Sequence, residues 1–174
     1  AHSRRRCEVE PDMLSPIRIQ HRSIGAGKPV FIIAELSAHH LQRFELAAKT
    51  IRAIKRAGAD AVKLQTYTAD TLTIDCSNKY FKIRQGTPWD GRTLHELYRE
   101  AYTPWEWQPK LKRMAEDLGL ICFSTPFDAR AVDFLERMDV PAYKIASFEI
   151  TDTPLIECAA SKGKPCPGIA SPGW

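Results

Sequence analysis

The feature that most constrains the fold is an alternation of two hydrophobic patterns along the chain. Short apolar runs rich in β-branched residues recur, and each is followed by a segment whose apolar residues have helical spacing. The runs predict strands at 30–36, 61–67, 120–127 and 142–150. The spaced segments predict helices at 43–58, 93–101, 103–119, 128–139 and 151–163. Four strand–helix units of this kind predict a parallel sheet covered by helices.

Two architectures fit such an order, a doubly wound sheet and a (β/α)8 barrel. The first strand–helix turn reads "ELSAHHLQR" and contains neither the G-x-G-x-x-G pattern nor the P-loop glycines. A doubly wound nucleotide-binding sheet is therefore less favoured than an α/β fold of the (β/α)8 TIM-barrel type, of which four strand–helix units would be half. An N-terminal extension precedes them, in which the alternating residues 17–24 predict a short, half-exposed strand.

Composition limits the classes of partner. Of the 174 residues, 44% are hydrophobic and 26% are charged, as in a globular domain, and no apolar run is long enough to span a membrane. Much of the net charge of +4 comes from "SRRRC" near the start, and no basic patch with interleaved aromatics follows. We expect a cytoplasmic protein that binds small molecules and neither nucleic acid nor membrane. Five cysteines without a C-x-x-C pair predict neither a disulfide framework nor a zinc site.

Polar residues stand at the carboxyl end of every predicted strand, where both architectures bind ligands. Burying an ammonium group costs several kcal/mol unless an anion accompanies it. Two lysines with hydroxyls between them therefore predict a ligand that carries phosphate or carboxylate groups. The alternative is that Lys63 pairs internally with Glu35 or reaches solvent. The collected residues are Glu35, Ser37, Lys63, Gln65, Ser124, Thr125, Lys144, Ser147 and Glu149.

A pair of histidines and a set of tryptophans could mark binding sites, but we prefer to interpret both as structural. His39 and His40 are adjacent, whereas metal ligands on a helix are usually three or four residues apart, so we expect them to shape the first loop. Trp89, Trp105 and Trp107 alternate with proline and polar residues. We expect them to pack the long second loop against the barrel rim, and not to form a stacking platform for nucleic acid.

Several motifs, in order along the chain, resemble the sialic acid synthase family (N-acetylneuraminate synthase-like). They are "FIIAELSAHH", "AGADAVKLQTY", "FSTPFD", "VDFLERMDVPAYKIASFEITDTPLI" and "ASKGKP". The segments "IDCSNKYFKI" and "GTPWDGRTLHELYREAYTPWEW" look most like the pseudaminic acid synthase branch. The resemblance runs from about 17 to 165. It implies a (β/α)8 barrel followed by a small antifreeze-like domain, in a homodimer.

The resemblance also implies a reaction. Phosphoenolpyruvate condenses with an open-chain N-acetylated amino sugar, a nonulosonic acid forms and phosphate is released. A divalent metal, Mn²⁺ or Mg²⁺, polarises the aldehyde, and its ligands are expected in the second half of the barrel and not in this chain. Carried over by motif, the catalytic carboxylate is Glu35 and the sugar ligands are Gln65 and Glu149. The phosphoenolpyruvate ligands are Lys63, Thr125, Lys144 and Ser147.

The same reasoning divides the chain into three parts. Residues 1–16 are expected to be a disordered tail, 17–165 the N-terminal half of a synthase barrel, and 166–174 an aberrant tail in which prolines interrupt the next strand. Three functions stay open: a nonulosonic acid synthase present as its N-terminal part, an inactive truncated fragment without catalysis, or another barrel synthase or aldolase that uses phosphoenolpyruvate or phosphate.

Overall fold

The computed structural model of the chain describes residues 16–84, 86–87 and 89–167. The predictions made for 1–15 and 168–174 lie outside these residues. Within them, a two-stranded antiparallel hairpin precedes a three-stranded parallel sheet. Helices pack against that sheet, so the alternation read from the sequence is confirmed.

The N-terminal extension is a hairpin and not the single strand predicted at 17–24. Strand β1 (Ile17–Ile19) pairs with β2 (Arg22–Ile24), because the chain reverses at Gln20, whose φ is 49°. Ile19 is buried in a core cluster that includes residues 61 and 121, which begin two strands of the parallel sheet. Arg22 is 2.7 Å from Asp60, directly before one of those strands. The hairpin therefore covers the amino ends of the parallel strands.

The parallel sheet contains β3 (Ile33–Glu35), β4 (Ala61–Thr66) and β5 (Ile121–Pro126), in the order β3-β4-β5. Glu35 lies opposite Lys63, and Gln65 lies opposite Thr125. Since opposite residues in a parallel ladder point to the same face, these four side chains share one face of the sheet.

Among the described residues, six α-helices and three 3-10 turns follow the strands. Helix α3 begins with a capping box, in which the Thr93 hydroxyl accepts a hydrogen bond from the Glu96 N–H and the Glu96 carboxylate accepts one from the Thr93 N–H. The α-helices are α1 (Phe44–Arg56), α2 (Ala69–Leu72), α3 (Leu94–Ala101), α4 (Gln108–Asp117), α5 (Ala129–Arg137) and α6 (Thr153–Ala160). The 3-10 turns are Ala38–His40, Trp105–Trp107 and Ser147–Glu149.

The strand predicted at 142–150 is wrong over most of its length. Tyr143 makes a parallel bridge to Ser124, and the Lys144 N–H donates to the Ser124 carbonyl at 3.0 Å, so the segment does lie beside β5. The chain then forms a 3-10 turn, in which the Glu149 N–H donates a hydrogen bond to the Ala146 carbonyl at 3.1 Å. Lys144 keeps its place at the sheet, whereas Ser147 and Glu149 stand on the turn.

The two faces of the parallel sheet have different surroundings. Val62, Leu64 and Cys122 point outward and pack against buried residues of α1 and α4, such as Ile51 and Leu111. The opposite, inner face carries Lys63 and Gln65, as the period of two along a strand requires. The outer face is therefore covered by helices, and the candidate site residues lie on the inner face.

Candidate active site at the carboxyl ends of the strands

Lys63 is at the centre of a group of side chains on the inner face of the sheet. The residue is 5% exposed, and its Nζ is 2.9 Å from Glu35 Oε2 and 3.4 Å from Thr125 Oγ1. The Glu35 side chain keeps 43% of its surface exposed. The internal ion pair that the sequence allowed as an alternative is thus present. Its acidic partner, Glu35, is exposed at the carboxyl ends of the strands, which we call the opening of the sheet.

Gln65 holds this carboxylate in place. Its Nε2 donates to Glu35 Oε1 at 2.6 Å, and its Oε1 accepts a hydrogen bond from the Ser37 hydroxyl at 3.0 Å. A buried or half-buried amide that uses both ends in this way has its orientation defined by its partners. Glu35 is consequently fixed by Gln65 on one oxygen and by Lys63 on the other.

Lys144 and Glu149 extend the group on the far side of β5. Burial lowers the pKa of Lys144, and the nearby Lys63 ammonium lowers it further, while Glu35 and Glu149 act in the opposite direction. Burial raises the pKa of Glu149, and Lys144 partly offsets that effect. The charges of Lys63, Glu35 and Glu149 thus all act on Lys144.

One carboxylate oxygen in this opening is buried without a bond. Glu149 Oε2 is shielded from solvent and has no hydrogen-bond partner among the described residues. A buried, unsatisfied acceptor costs free energy, and so do two lysines held near each other. An anion beside the lysines and a hydroxyl beside Glu149 would relieve both costs. We name Glu35, Lys63, Gln65, Thr125, Lys144 and Glu149 the mouth cluster.

Three residues collected from the sequence lie outside the mouth cluster, and one of them, Ser37, contacts it through the hydrogen bond to Gln65. Ser124 points to the outer face, where its hydroxyl is 2.7 Å from that of Thr66, which in turn donates to Gln108 Oε1 at 2.7 Å. We name these three buried residues the outer cluster. Ser147 is exposed on the 3-10 turn, and the structure shows no side-chain bond from it to another described residue. Its role in binding stays a prediction.

A cavity of about 600 Å³ opens beside the mouth cluster. Ser37, Gln65 and Glu149 form its polar side. Its opposite wall is mainly aromatic and aliphatic, and includes Tyr67, Leu72, Trp89, Leu97, Tyr98, Phe127 and Phe148. A pocket with a few polar groups against an apolar wall suits a small organic ligand.

Sequence reasoning missed the aromatic wall. The Tyr67 ring makes edge contacts with Tyr98 at 5.9 Å and with Phe127 at 5.4 Å between centroids. Tyr67 and Phe127 directly follow β4 and β5, so their position after a strand end was the available signal. Tyr98 and Glu149 line the same cavity. Burial raises the pKa of Tyr98, and the charge of Glu149 raises it further.

The structural interpretation of His40 is confirmed. The side chain is fully buried, its Nδ1 accepts a hydrogen bond from the Gln42 N–H at 3.2 Å, and its Nε2 is 3.2 Å from Thr103 Oγ1. Burial lowers the pKa of His40, which favours the neutral ring that these bonds require. His40 therefore shapes the first loop.

The packing role predicted for the tryptophans is also confirmed for two of them. Trp105 Nε1 donates to the Tyr67 carbonyl at 3.0 Å, and its ring lies 4.8 Å from that of Phe134. Trp107 makes an edge contact with Phe44 at 5.7 Å. Both rings hold the connection before α4 against the rest of the domain.

The described residues offer no metal site. Within 16–84, 86–87 and 89–167, no group of three or more histidine, cysteine, aspartate or glutamate side chains is arranged to hold a metal ion. We therefore assign no step of a reaction to a metal in this chain, and the divalent metal stays a prediction. In the same part of the chain, no helix is both long enough and apolar enough to cross a membrane.

Comparison with known proteins bears on the family of the chain. The NeuB family matches residues 50–173. A pseudaminic acid synthase of Campylobacter jejuni is 48% identical over 147 residues, which are 84% of this chain and 43% of that protein. One of Helicobacter pylori is 50% identical over 138 residues, which are 79% and 40% of the two chains. The chain thus spans less than half the length of these curated relatives.

Solved structures give the same result for the fold. An N-acetylneuraminic acid synthetase of Leptospira borgpetersenii, crystallised with citrate, superposes with a TM-score of 0.77 at 27% identity. The match covers 92% of this chain and 51% of that one. The chain is therefore a partial barrel of the type found in sialic acid synthases, as predicted from the sequence.

Proposed function

The chain belongs to the NeuB family, the sialic acid synthase family, and from this membership we propose that the protein condenses phosphoenolpyruvate with an open-chain amino sugar. The product is a nonulosonic acid, of the pseudaminic type made by the relatives named above, and phosphate is released. The observation that carries the proposal is the mouth cluster, where two partly desolvated lysines lie beside an unsatisfied carboxyl oxygen.

The lysines bind the anionic substrate in this proposal. Lys63 and Lys144 neutralise the phosphate and carboxylate groups of phosphoenolpyruvate, which relieves the repulsion between the two ammonium groups. The Thr125 hydroxyl, 3.4 Å from Lys63 Nζ, donates a hydrogen bond to the same ligand. Ser147 donates another when the exposed turn that carries it closes over the ligand.

Glu35 stands where the new bond forms. C3 of phosphoenolpyruvate attacks the aldehyde carbon of the sugar, water adds at C2, the C2–O bond breaks, and phosphate leaves. Glu35 either accepts the proton of the attacking water or stabilises the positive charge that develops at C2. Its two oxygens, fixed by Lys63 and Gln65, keep it oriented for this role.

The sugar occupies the cavity of about 600 Å³ in this proposal. Gln65 and the free Oε2 of Glu149 bind its hydroxyl groups, and Tyr67, Tyr98 and Phe127 cover its apolar faces. A sugar hydroxyl that donates to Glu149 Oε2 supplies the bond that this oxygen lacks in the described part of the chain.

The test has two stages. Titration calorimetry first measures phosphoenolpyruvate binding to the chain, and phosphate release is then followed with Mn²⁺ and a panel of N-acetylated hexosamines. With 18O in the C2–O bridge, the label is expected in the phosphate, because the C2–O bond breaks. Absence of phosphoenolpyruvate binding would refute the proposal, and binding without phosphate release would favour the fragment without catalysis. A lysine adduct trapped by borohydride would favour a Schiff-base aldolase instead.

Three properties of the proposed enzyme stay predictions. They are a divalent metal, Mn²⁺ or Mg²⁺, a homodimer, and a cytoplasmic location. Analytical ultracentrifugation and the metal dependence of phosphate release test the first two directly.

A further inference from the structure

The connection between α2 and α3 contains a short extended segment with a basic face. Lys82 forms an antiparallel bridge with Thr93, so the chain is locally extended there. Side chains of an extended segment alternate between its two faces. Ile83 is accordingly buried, whereas Lys82 and Arg84, on the other face, are exposed. The segment is thus fixed to the domain by its apolar residue and presents its cations outward.

This segment borders a cavity of about 470 Å³, a size that suits a small organic ligand. Among the described residues, no member of the mouth cluster and no acidic side chain lines it. The cavity has a basic part, formed by Lys79, Lys82 and Arg84, and an aromatic and aliphatic part that includes Tyr80, Ile83 and Trp89. We name this space the loop cavity.

The three cations of the loop cavity have no carboxylate partner. Within 16–84, 86–87 and 89–167, the structure shows no ion pair for Lys79, Lys82 or Arg84, and all three are exposed. Arg92, in the same connection, differs from them, because its Nη1 donates to Glu100 Oε2 at 2.8 Å. A cleft lined by charges of one sign concentrates ions of the opposite sign. The basic part of the loop cavity is therefore suited to an anion.

Tyr80 places an aromatic ring beside these cations. The residue is 77% exposed, and Lys79 Nζ lies 5.0 Å from the centre of its ring. Exposed aromatic rings next to cations bind nucleotides, because the base stacks on the ring while the cations hold the phosphate. We did not expect this arrangement from the sequence, where no basic patch with interleaved aromatics was evident.

We propose that the loop cavity binds a nucleoside monophosphate, with the base on Tyr80 and the phosphate between Lys82 and Arg84. Three cations within six residues match one phosphate group of charge near −2, whereas a nucleic acid strand requires a basic groove about four nucleotides long or more. The inference goes beyond the proposed function, because the site uses no residue of the mouth cluster and no step of the condensation.

The first test compares three ligands by titration calorimetry at low ionic strength: adenosine 5′-monophosphate (AMP), adenosine and ribose 5-phosphate. Adenosine lacks the phosphate and ribose 5-phosphate lacks the base, so AMP is expected to bind about tenfold more tightly than either. Added salt should weaken the binding of AMP, since the cations are exposed. Absence of AMP binding, or equal affinity for AMP and ribose 5-phosphate, would overturn the proposal.

Variants separate the two halves of the ligand. Tyr80→Leu should weaken AMP binding about fivefold and leave ribose 5-phosphate unaffected, and Tyr80→Phe, which keeps the ring, should restore the affinity for AMP. Lys82→Met should weaken both ligands about fivefold. Lys28→Met is the matched control, because Lys28 is exposed and does not line the loop cavity. Equal losses in the two methionine variants would indicate attraction by overall charge and would overturn the proposal.

Methyl NMR of the unaltered chain locates the ligand without any risk of a folding defect. AMP should shift the methyl signals of Ile83 and Leu94, which line the loop cavity, and leave that of Leu72, which lines the larger cavity and not this one. Shifts at Leu72 alone would contradict the proposal.

Two further outcomes would assign AMP to another site or class of ligand. Loss of AMP affinity in Lys63→Met would place the phosphate in the mouth cluster and overturn the proposal. An oligonucleotide that binds more tightly than AMP would indicate a nucleic acid ligand and would also overturn it. Phosphoenolpyruvate binding is measured separately, so the proposed function stands or fails on its own test.

Discussion

The outer cluster and the mouth cluster are two polar groups on opposite faces of the same strands. In the outer cluster, Thr66, Gln108 and Ser124 are neutral, at most 1% exposed, and joined by short hydrogen bonds. In the mouth cluster, four of six residues carry ionisable groups, and Glu149 has an oxygen without a partner among the described residues. A polar group that is complete without a ligand stabilises the fold, whereas one that is incomplete is prepared for a ligand.

This difference predicts that the two clusters respond oppositely to mutation. Changes in the outer cluster should reduce the free energy of unfolding and leave anion affinity per folded molecule unaltered. Changes to the lysines of the mouth cluster should reduce anion affinity with little effect on unfolding. The four predictions below test this separation, beginning with the largest effect.

Gln108→Leu should have the largest effect of all. The Gln108 Nε2 donates to the carbonyls of Gln65 at 3.2 Å and Thr103 at 3.4 Å, and its Oε1 accepts from Thr66. Leucine leaves these buried groups unpaired, so we expect the free energy of unfolding to fall by about 3 kcal/mol. Urea denaturation measures the change. The exposed Lys110→Leu on the same helix is the control, and an equal loss there would contradict the assignment.

Lys63→Met should weaken phosphoenolpyruvate binding by about 30-fold or more, because one charge-assisted contact is worth about 2 kcal/mol. The free energy of unfolding should change little, since methionine replaces the lysine chain up to Cε and Glu35 can turn its exposed carboxylate to water. Titration calorimetry and urea denaturation measure both quantities. Lys49→Met, on the exposed face of α1, should alter neither. A loss of stability without a loss of affinity would place Lys63 with the outer cluster.

Lys144→Arg should remove a pH dependence. Burial, followed by Lys63, lowers the pKa of Lys144 below the ordinary value of 10.5, so the charged form is lost as pH rises through the lowered pKa. We expect the wild type to bind phosphoenolpyruvate roughly tenfold less tightly once Lys144 is neutral. The arginine variant keeps its charge and should show a flat profile from about pH 7 to about pH 10. Parallel profiles for the two proteins would refute the role of Lys144.

Glu149→Gln should have the smallest effect. It should raise the free energy of unfolding, whereas changes in the outer cluster lower it. Burial raises the pKa of Glu149 in the folded state above its ordinary 4.5, so ionisation destabilises the fold as pH rises from 4.5 through the raised pKa. Glutamine avoids this cost and should stabilise the chain by about 0.5 kcal/mol at neutral pH, since the side chain is partly exposed. The gain should vanish below pH 4.5, where both side chains are neutral. A destabilised variant at neutral pH would contradict the account.

The strand residues of the mouth cluster were predictable because strand periodicity is local. Lys63 and Gln65 are two residues apart, and their common face follows from that spacing alone. The same rule applied to Ser124 and Thr125 allows one of them at most on the inner face, and the structure selects Thr125. The polar residues at strand ends therefore identify the opening, although not every member of the list.

Other features depend on contacts that no local pattern encodes. The turn at 147–149 forms because the Ala146 carbonyl accepts a hydrogen bond from the Glu149 N–H and not from a neighbouring strand. An apolar run in the sequence does not reveal this choice of partner. Tyr98 reaches the cavity because α3 packs against α2, and its ring contacts that of Tyr67 directly after β4. The first loop is similarly joined to the end of α3 by the Gln42 amide, and no spacing in the sequence indicates that bond.

The most direct test of the central claim is NMR of the lysine side chains during a phosphoenolpyruvate titration, with Lys63→Met and Lys144→Met used to assign the signals. If the mouth cluster binds one anion, the signals of Lys63 and Lys144 should both shift in a single transition with the same Kd and one ligand per chain. Shifts at neither lysine, at one of them alone, or at the two with different Kd values would contradict the claim that they share a ligand.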